Sequence, residues 1–151
     1  LQHIEYFPVD KYPNKKIGAG IQAMDITDIK FADNFFDVII CNHVLEHVPD
    51  DEQAMREMHR VLSPEGWAIL NVPIDKARTE TFEDRNINNP QKQLELFGQP
   101  DHVRIYGTDY YSRLSLAGFR YKVIDYNAGF IHNEQFKYGL QKGEEIIWCE
   151  K

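Results

Sequence analysis

Apolar residues recur along this chain in two different periods, and the switching between them outlines an α/β domain. Phe35–Cys41 (FFDVIIC) is an apolar run broken only by Asp37, the pattern of a parallel strand covered on both faces. The period then changes: Ala54, Met55, Met58, Val61 and Leu62 share one helical face. Asp50 stands at the N-cap of that helix, with Gln53 in the capping-box position and acids in the first turn. Ser63-Pro64-Glu65-Gly66 stops it, and Trp67–Val72 reads as a second buried strand. A strand, a helix and another buried strand in that order predict neighbouring parallel strands joined by a crossover helix.

The flanks are less regular. His3–Val9 reads as a strand ending at Asp10, with Pro8 marking an exposed or terminal position. The link KYPNKKIGAG is too rich in Pro, Gly and Asn to hold a helix, and a short strand, Ile21–Met24, leads from it to Asp25. Downstream, a long polar segment runs from Ile74 to Thr108, with a short helix expected at Pro90–Phe97. A connection of that length, leaving the carboxyl end of a central strand, is expected to be a lid over a ligand site. One domain is expected over residues 1–151, with 75–106 as its lid and acceptor-site insertion. Thr108 is placed to cap a further helix carrying Tyr111, Leu114 and Ala117, closed by Gly118. Phe119–Tyr126 and Ile146–Cys149 are the last strands.

Composition narrows the function. A net charge of -7 and a pI near 5.3 argue against a nucleic-acid surface, and Lys15-Lys16 reads as a solvated loop. Cys41 and Cys149 lie inside apolar runs and read as buried hydrophobes, with no disulfide framework or thiolate metal site. No apolar run has the length of a membrane span and no secretory signal opens the chain, so the expectation is a cytoplasmic protein without membrane partners.

Three strand ends carry candidate chemistry. Asp10 can accept hydrogen bonds from the vicinal hydroxyls of a ribose, or simply initiate a turn. Asp25 is an acceptor at a strand end, followed by the backbone N–H of Ile26, or it simply forms an Asx-type turn. Cys41-Asn42-His43 follows the central strand, where backbone groups are freed to meet a ligand. His43, Glu46 and His47 also spell H-x-x-E-H, a zinc-peptidase pattern. Zinc there needs a long helix and a third ligand, whereas Pro49 leaves barely one turn, so no metal is expected. Gly18-Ala19-Gly20 lacks the strand before it and the helix after it that a phosphate-binding loop requires. His102 and Arg104, with Tyr106, stand before the Thr108 helix: His102 is suited to take a proton from an acceptor and Arg104 to clamp an anionic group. Trp67 and Trp148 read as core.

The run MDITDIKFADNFFDVIICNHVLEHVPDDEQAMREMHRVLSPEGWAILNV, ending at Val72, resembles the second half of a class I S-adenosylmethionine-dependent methyltransferase. The resemblance implies a Rossmann-like, doubly wound, mostly parallel sheet with an antiparallel edge strand, the last two strands pairing there. It implies S-adenosylmethionine as cofactor, with ribose on Asp10, adenine on Asp25 and the Ile26 backbone, and the methionine end along Cys41, Asn42 and His43. The implied reaction is methyl transfer to a small polar acceptor, with His102 and Arg104 on the acceptor side. The family's first strand and glycine-rich loop would precede Leu1, so the fold is expected to be N-terminally incomplete. The missing strand belongs between His3–Val9 and Phe35–Cys41. Its place is expected to be filled by upstream residues or, through an exposed sheet edge, by another subunit, including a second copy of the chain. A non-catalytic binding or scaffold subunit is the alternative reading, and a zinc metalloprotease a third.

Overall fold

The computed structural model describes residues 4–13, 20–126, 137 and 145–151. Lys15-Lys16, Gly18-Ala19 and His3 lie outside these residues. The main sheet has four strands in the order β3-β4-β8-β7: β3 is Phe36–Asn42, β4 Leu62–Asn71, β7 Arg120–Ile124 and β8 Ile146–Glu150. β3 and β4 pair in parallel, while β8 runs antiparallel to both β4 and β7. The two apolar runs are therefore neighbours, and the two last strands pair antiparallel, as expected. The strand that runs against the others is β8, though, and it lies one position in from the edge; the edge strand is β7.

Helix α1 (Asp51–Val61) makes the crossover. The Asp50 carboxylate accepts from the Gln53 N–H at 3.1 Å, the cap the sequence predicts. Ala54, Met55, Met58 and Val61 are buried against Cys41, Ala68, Leu70 and Cys149. Helix α3 (Tyr110–Leu116) joins this core through Tyr110 and Leu114. Asp109 rather than Thr108 holds its N-cap position, without a side-chain capping bond, its carboxylate accepting instead from the Thr81 hydroxyl at 2.7 Å. Gly118, at φ 106°, ends it: the Gly118 N–H reaches the Ser115 carbonyl and the Phe119 N–H that of Leu114.

β3 departs from expectation. Ile39 and Cys41 face the core, but Val38 and Ile40 are 40% and 65% exposed, so this strand is covered on one face rather than two. Among the described residues β3 pairs with β4 alone, which leaves its other side open. Trp67 and Trp148 are likewise half-buried rather than core, stacked face to face at 4.2 Å on the outer side.

The N-terminal strand is also shorter than predicted. β1 is Val9–Asp10 and pairs in parallel with β2 (Gln22–Ala23), forming a separate two-stranded sheet. Residues 4–8 find no ladder, and Ile4 and Tyr6 are exposed. Phe7 nonetheless packs edge-on against Phe31, Phe35 and Phe36, tying this small sheet to the start of β3.

The long connection after β4 is ordered. β5 (Phe82–Glu83) pairs antiparallel with β6 (Arg104–Ile105), and α2 (Pro90–Phe97) lies between them with the predicted bounds. Asn89 caps α2 by accepting from Gln91 and Lys92, and Gly98 closes it at φ 85°.

Candidate functional site

The carboxyl ends of β3 and β4 open onto a cavity of about 300 Å³, lined by His43, Asn71, Ile74, Lys76 and Glu145 among others. Asn71 organises its floor. Its carbonyl accepts from the His43 N–H at 2.9 Å, and its side-chain oxygen accepts from the Ile147 N–H at 2.8 Å. His43 takes a left-handed conformation (φ 54°) at this turn, and its imidazole is 67% exposed. Lys76 and Glu145 pair at 2.9 Å on the same rim. A second cavity of about 240 Å³ shares Pro73 and Ile74 and reaches Phe97, His102 and Arg104.

The other predicted positions divide between these rims and the core. Asp10 is exposed, and its carboxylate accepts from the Tyr12 N–H at 2.6 Å, the turn geometry weighed above. Asp25 accepts from Thr27 through both the backbone N–H (3.0 Å) and the hydroxyl (2.8 Å), and from Lys11 at 2.8 Å. The Lys11 hydrogen bond first, then those of Thr27, hold its carboxyl down to about 2. Asp10 and Asp25 come together at the end of the β1–β2 pair, where the Met24 N–H bonds the Asp10 carbonyl. Ile26 is half-buried against the core. The Cys41 side chain turns inward, and burial pushes its thiol up to about 12, so only its backbone is available at the strand end. Asn42 is exposed beside it.

Arg104 takes a different task from the one expected. All five of its N–H donors are engaged inside the protein. Nε meets Glu83 at 3.0 Å, Nη1 meets the carbonyls of Leu45 (2.8 Å) and Val48 (2.6 Å), and Nη2 meets the Pro49 carbonyl (3.0 Å) and Glu83 (2.9 Å). With 1% exposure it has no donor left for a substrate anion, so the clamp role is corrected to an internal brace. Tyr106 is also core, donating to Asp51 at 2.7 Å. Sequence reasoning missed the acids that complete this brace. Asp51, fully buried, and Glu83 are shared by Arg104 and Arg113. Burial alone would raise the Glu83 carboxyl, but hydrogen bonds from Arg113 and Arg104 outweigh it and hold it below its ordinary range. A first-turn acid such as Asp51 looks like helix-dipole chemistry in sequence, and no spacing signals a partner on a distant helix.

His102 is buried under the second cavity, and its Nε2 has no hydrogen-bond partner among the described residues. Burial lowers its pKa, which favours the neutral ring. The H-x-x-E-H residues do not form a peptidase helix. Leu45–His47 is a single 3-10 turn, and His43 precedes it in a left-handed conformation.

A family model described as a methyltransferase domain matches residues 8–70, from the first β-pair to the middle of the main sheet. An arsenite methyltransferase of Aquipseudomonas alcaligenes is 29% identical over 87 residues, covering 57% of this chain and 23% of that protein. An uncharacterized methyltransferase of Mycobacterium sp. (strain KMS) is 36% identical over 62 residues, 41% of this chain and 25% of the relative. A solved S-adenosylmethionine-dependent methyltransferase from Mesorhizobium loti superposes with a TM-score of 0.57 at 16% identity, covering 91% of this chain and 73% of that one. Residues 8–70 of the chain are thus similar to a methyltransferase domain. The chain's fold is Rossmann-like, as the sequence led us to expect. The stretches matched in these two curated methyltransferases amount to about a quarter of their length (23% and 25%). The fold alone does not choose the reaction. The [4+2]-cyclase SpnF superposes equally well, with a TM-score of 0.57 at 17% identity, covering 87% of this chain and 56% of that one.

Proposed function

We propose that this protein is a class I methyltransferase that transfers the methyl group of S-adenosylmethionine to a small polar acceptor. The observation that carries the reading is the clustering of Asp10 and Asp25 at the ends of two paired parallel strands, tied by Phe7 to β3, whose own end opens on the His43 cavity.

Asp10 and Asp25 suit the hydroxyl and amino groups of a nucleoside, since both are acceptors when ionised and Asp25 stays ionised far below neutral pH. The Asp25 carboxylate already binds an ammonium, that of Lys11, so its acceptor capacity toward N–H donors is built. The Ile26 backbone and the Cys41-Asn42-His43 turn are the neighbouring contacts for the rest of the cofactor. The bound cofactor would supply an electrophilic methyl on sulfur. The protein would then orient the acceptor, exclude water with the 75–106 lid, and take a proton at His102 where the acceptor must lose one.

The experiment is calorimetry with S-adenosylhomocysteine on the protein with its natural N-terminus. Binding that weakens about tenfold or more in Asp25→Ala, a loss of about 1.4 kcal/mol or more, supports the reading. No binding leaves the non-catalytic scaffold. The reading also carries a cytoplasmic location, no nucleic-acid partner in view of the net charge of -7, and self-association through the open side of β3. Among the described residues, no helix is long and apolar enough to cross a membrane.

A further inference from the structure

We propose that Glu46, His47 and His102 form a binding site for one first-row transition-metal dication of the Zn²⁺ or Co²⁺ type. A carboxylate oxygen and one nitrogen from each imidazole lie within 4.8 Å of one another. Four-coordinate ligands at about 2.0–2.2 Å from a metal stand about 3.3–3.5 Å apart, so modest side-chain rotation closes the set.

Two independent atoms ask for an occupant. Glu46 Oε2 and His102 Nε2 are both buried, and neither has a hydrogen-bond partner among the described residues. Glu46 is 2% and His102 6% exposed, so solvent does not pay for their desolvation. Among the described residues no neighbouring side chain compensates: Arg104 spends its donors on Glu83 and the carbonyls of Leu45, Val48 and Pro49, and His43 Nδ1 stops 3.6 Å from the other oxygen, Glu46 Oε1. A cation between Glu46 and the two imidazoles satisfies both buried atoms at once.

The surroundings suit a metal. The rings of His47 and His102 meet edge-on at 4.6 Å. His47 Nδ1 lies 3.2 Å from the Asp101 carbonyl and 3.3 Å from its carboxylate, the kind of outer contact that orients metal-bound imidazoles. Two imidazoles and one carboxylate favour zinc, cobalt or nickel over magnesium or calcium, and three protein ligands leave a position open.

The H-x-x-E-H spacing is not the ligand set. Glu46 replaces His43, and His102 arrives from the lid, which the sequence order does not reveal. The backbone already binds the two parts together, for the Val103 N–H donates to the Glu46 carbonyl at 2.9 Å. The metal therefore fastens the returning end of the lid to the turn after β3. One nitrogen cannot both hold a metal and take a proton, so the loaded protein is a form in which His102 is not a base.

The test is titration of the chelator-stripped full chain with Co²⁺, followed by its visible absorption, and with Zn²⁺ by calorimetry. Neither cofactor nor acceptor enters, so the result is separate from the methyl-transfer reading. One equivalent is expected to bind. Glu46→Gln and His102→Ala should each lower affinity about tenfold or more, and His43→Asn should leave it in place. Circular dichroism reports whether each stripped variant folds. His47→Asn, at a partly exposed position, supplies the same loss if a buried substitution unfolds the chain. Absence of saturable binding by the stripped protein overturns the proposal, with water or a proton then satisfying the two atoms. Binding that survives loss of Glu46 and His102 but not of His43 overturns it as well.

Discussion

Arg104 shows how far a single residue's surroundings govern its task. In sequence, an arginine two residues after a histidine at the end of a polar segment reads as a substrate clamp. In the fold it braces three consecutive-turn carbonyls, Leu45, Val48 and Pro49, and two acids, Asp51 and Glu83. Removing it strands all of them, and breaking a buried ion pair costs about 3–5 kcal/mol. Arg104→Ala is therefore expected to lower unfolding free energy by about 3 kcal/mol or more, measured by urea denaturation. Arg104→Lys should recover less than half of that, because one ammonium cannot reach acceptors spread over a planar fork. Full stability in either variant would show that the brace contributes little. Asp25 is the opposite case: its place at a strand end is legible in sequence, and in the fold its carboxylate accepts from Thr27, in an Asx-type turn, and from Lys11.

At the scale of elements, the segment between β4 and α3 is held by backbone proximity as much as by charge. The Thr108 N–H donates to the Arg78 carbonyl at 2.9 Å and the Asp109 N–H to that of Thr79 at 3.2 Å, so residues 78–81 run against 107–109. Gly107 sits at their closest approach. A Cβ there would meet the Glu80 carbonyl carbon and oxygen at 2.7 and 2.8 Å and the Arg78 oxygen at 2.9 Å, all of them backbone atoms that cannot rotate away. Gly107→Ala should cost about 1–3 kcal/mol and raise amide exchange across 78–109 more than in α1. Uniform protection across both regions would argue against this seam. Helix α1 was legible because its cap and apolar spacing are local, Asp50 with Gln53, and α2 proves equally local, with Asn89 and Gly98 at its ends. The start of α3 differs by one residue: Asp109 rather than Thr108 holds the N-cap position, and its carboxylate is engaged by Thr81 instead of capping the helix.

For the whole molecule, the described residues leave one side of the main sheet open. Among them β3 pairs only with β4, and its outer face carries Val38 and Ile40 in solvent. Unpaired strand edges template association. Sedimentation should show concentration-dependent self-association of this chain, and Ile40→Lys should shift it to monomer without changing its circular dichroism. A strictly monomeric wild-type chain would remove the proposal. The order of elements from β3 through α1 to β4 followed from the chain itself, because periodicity, capping and a Pro-Gly stop are read within a few residues. So did the burial of Cys41 and Cys149. Tertiary structure alone decided that Arg104 is a brace, that β3 is covered on one face, and that Glu46 and His47 meet His102. Burial and partnership are properties of surfaces brought together from distant parts of the chain, and a local pattern can nominate a side chain for chemistry but cannot say what else will already have claimed its donors.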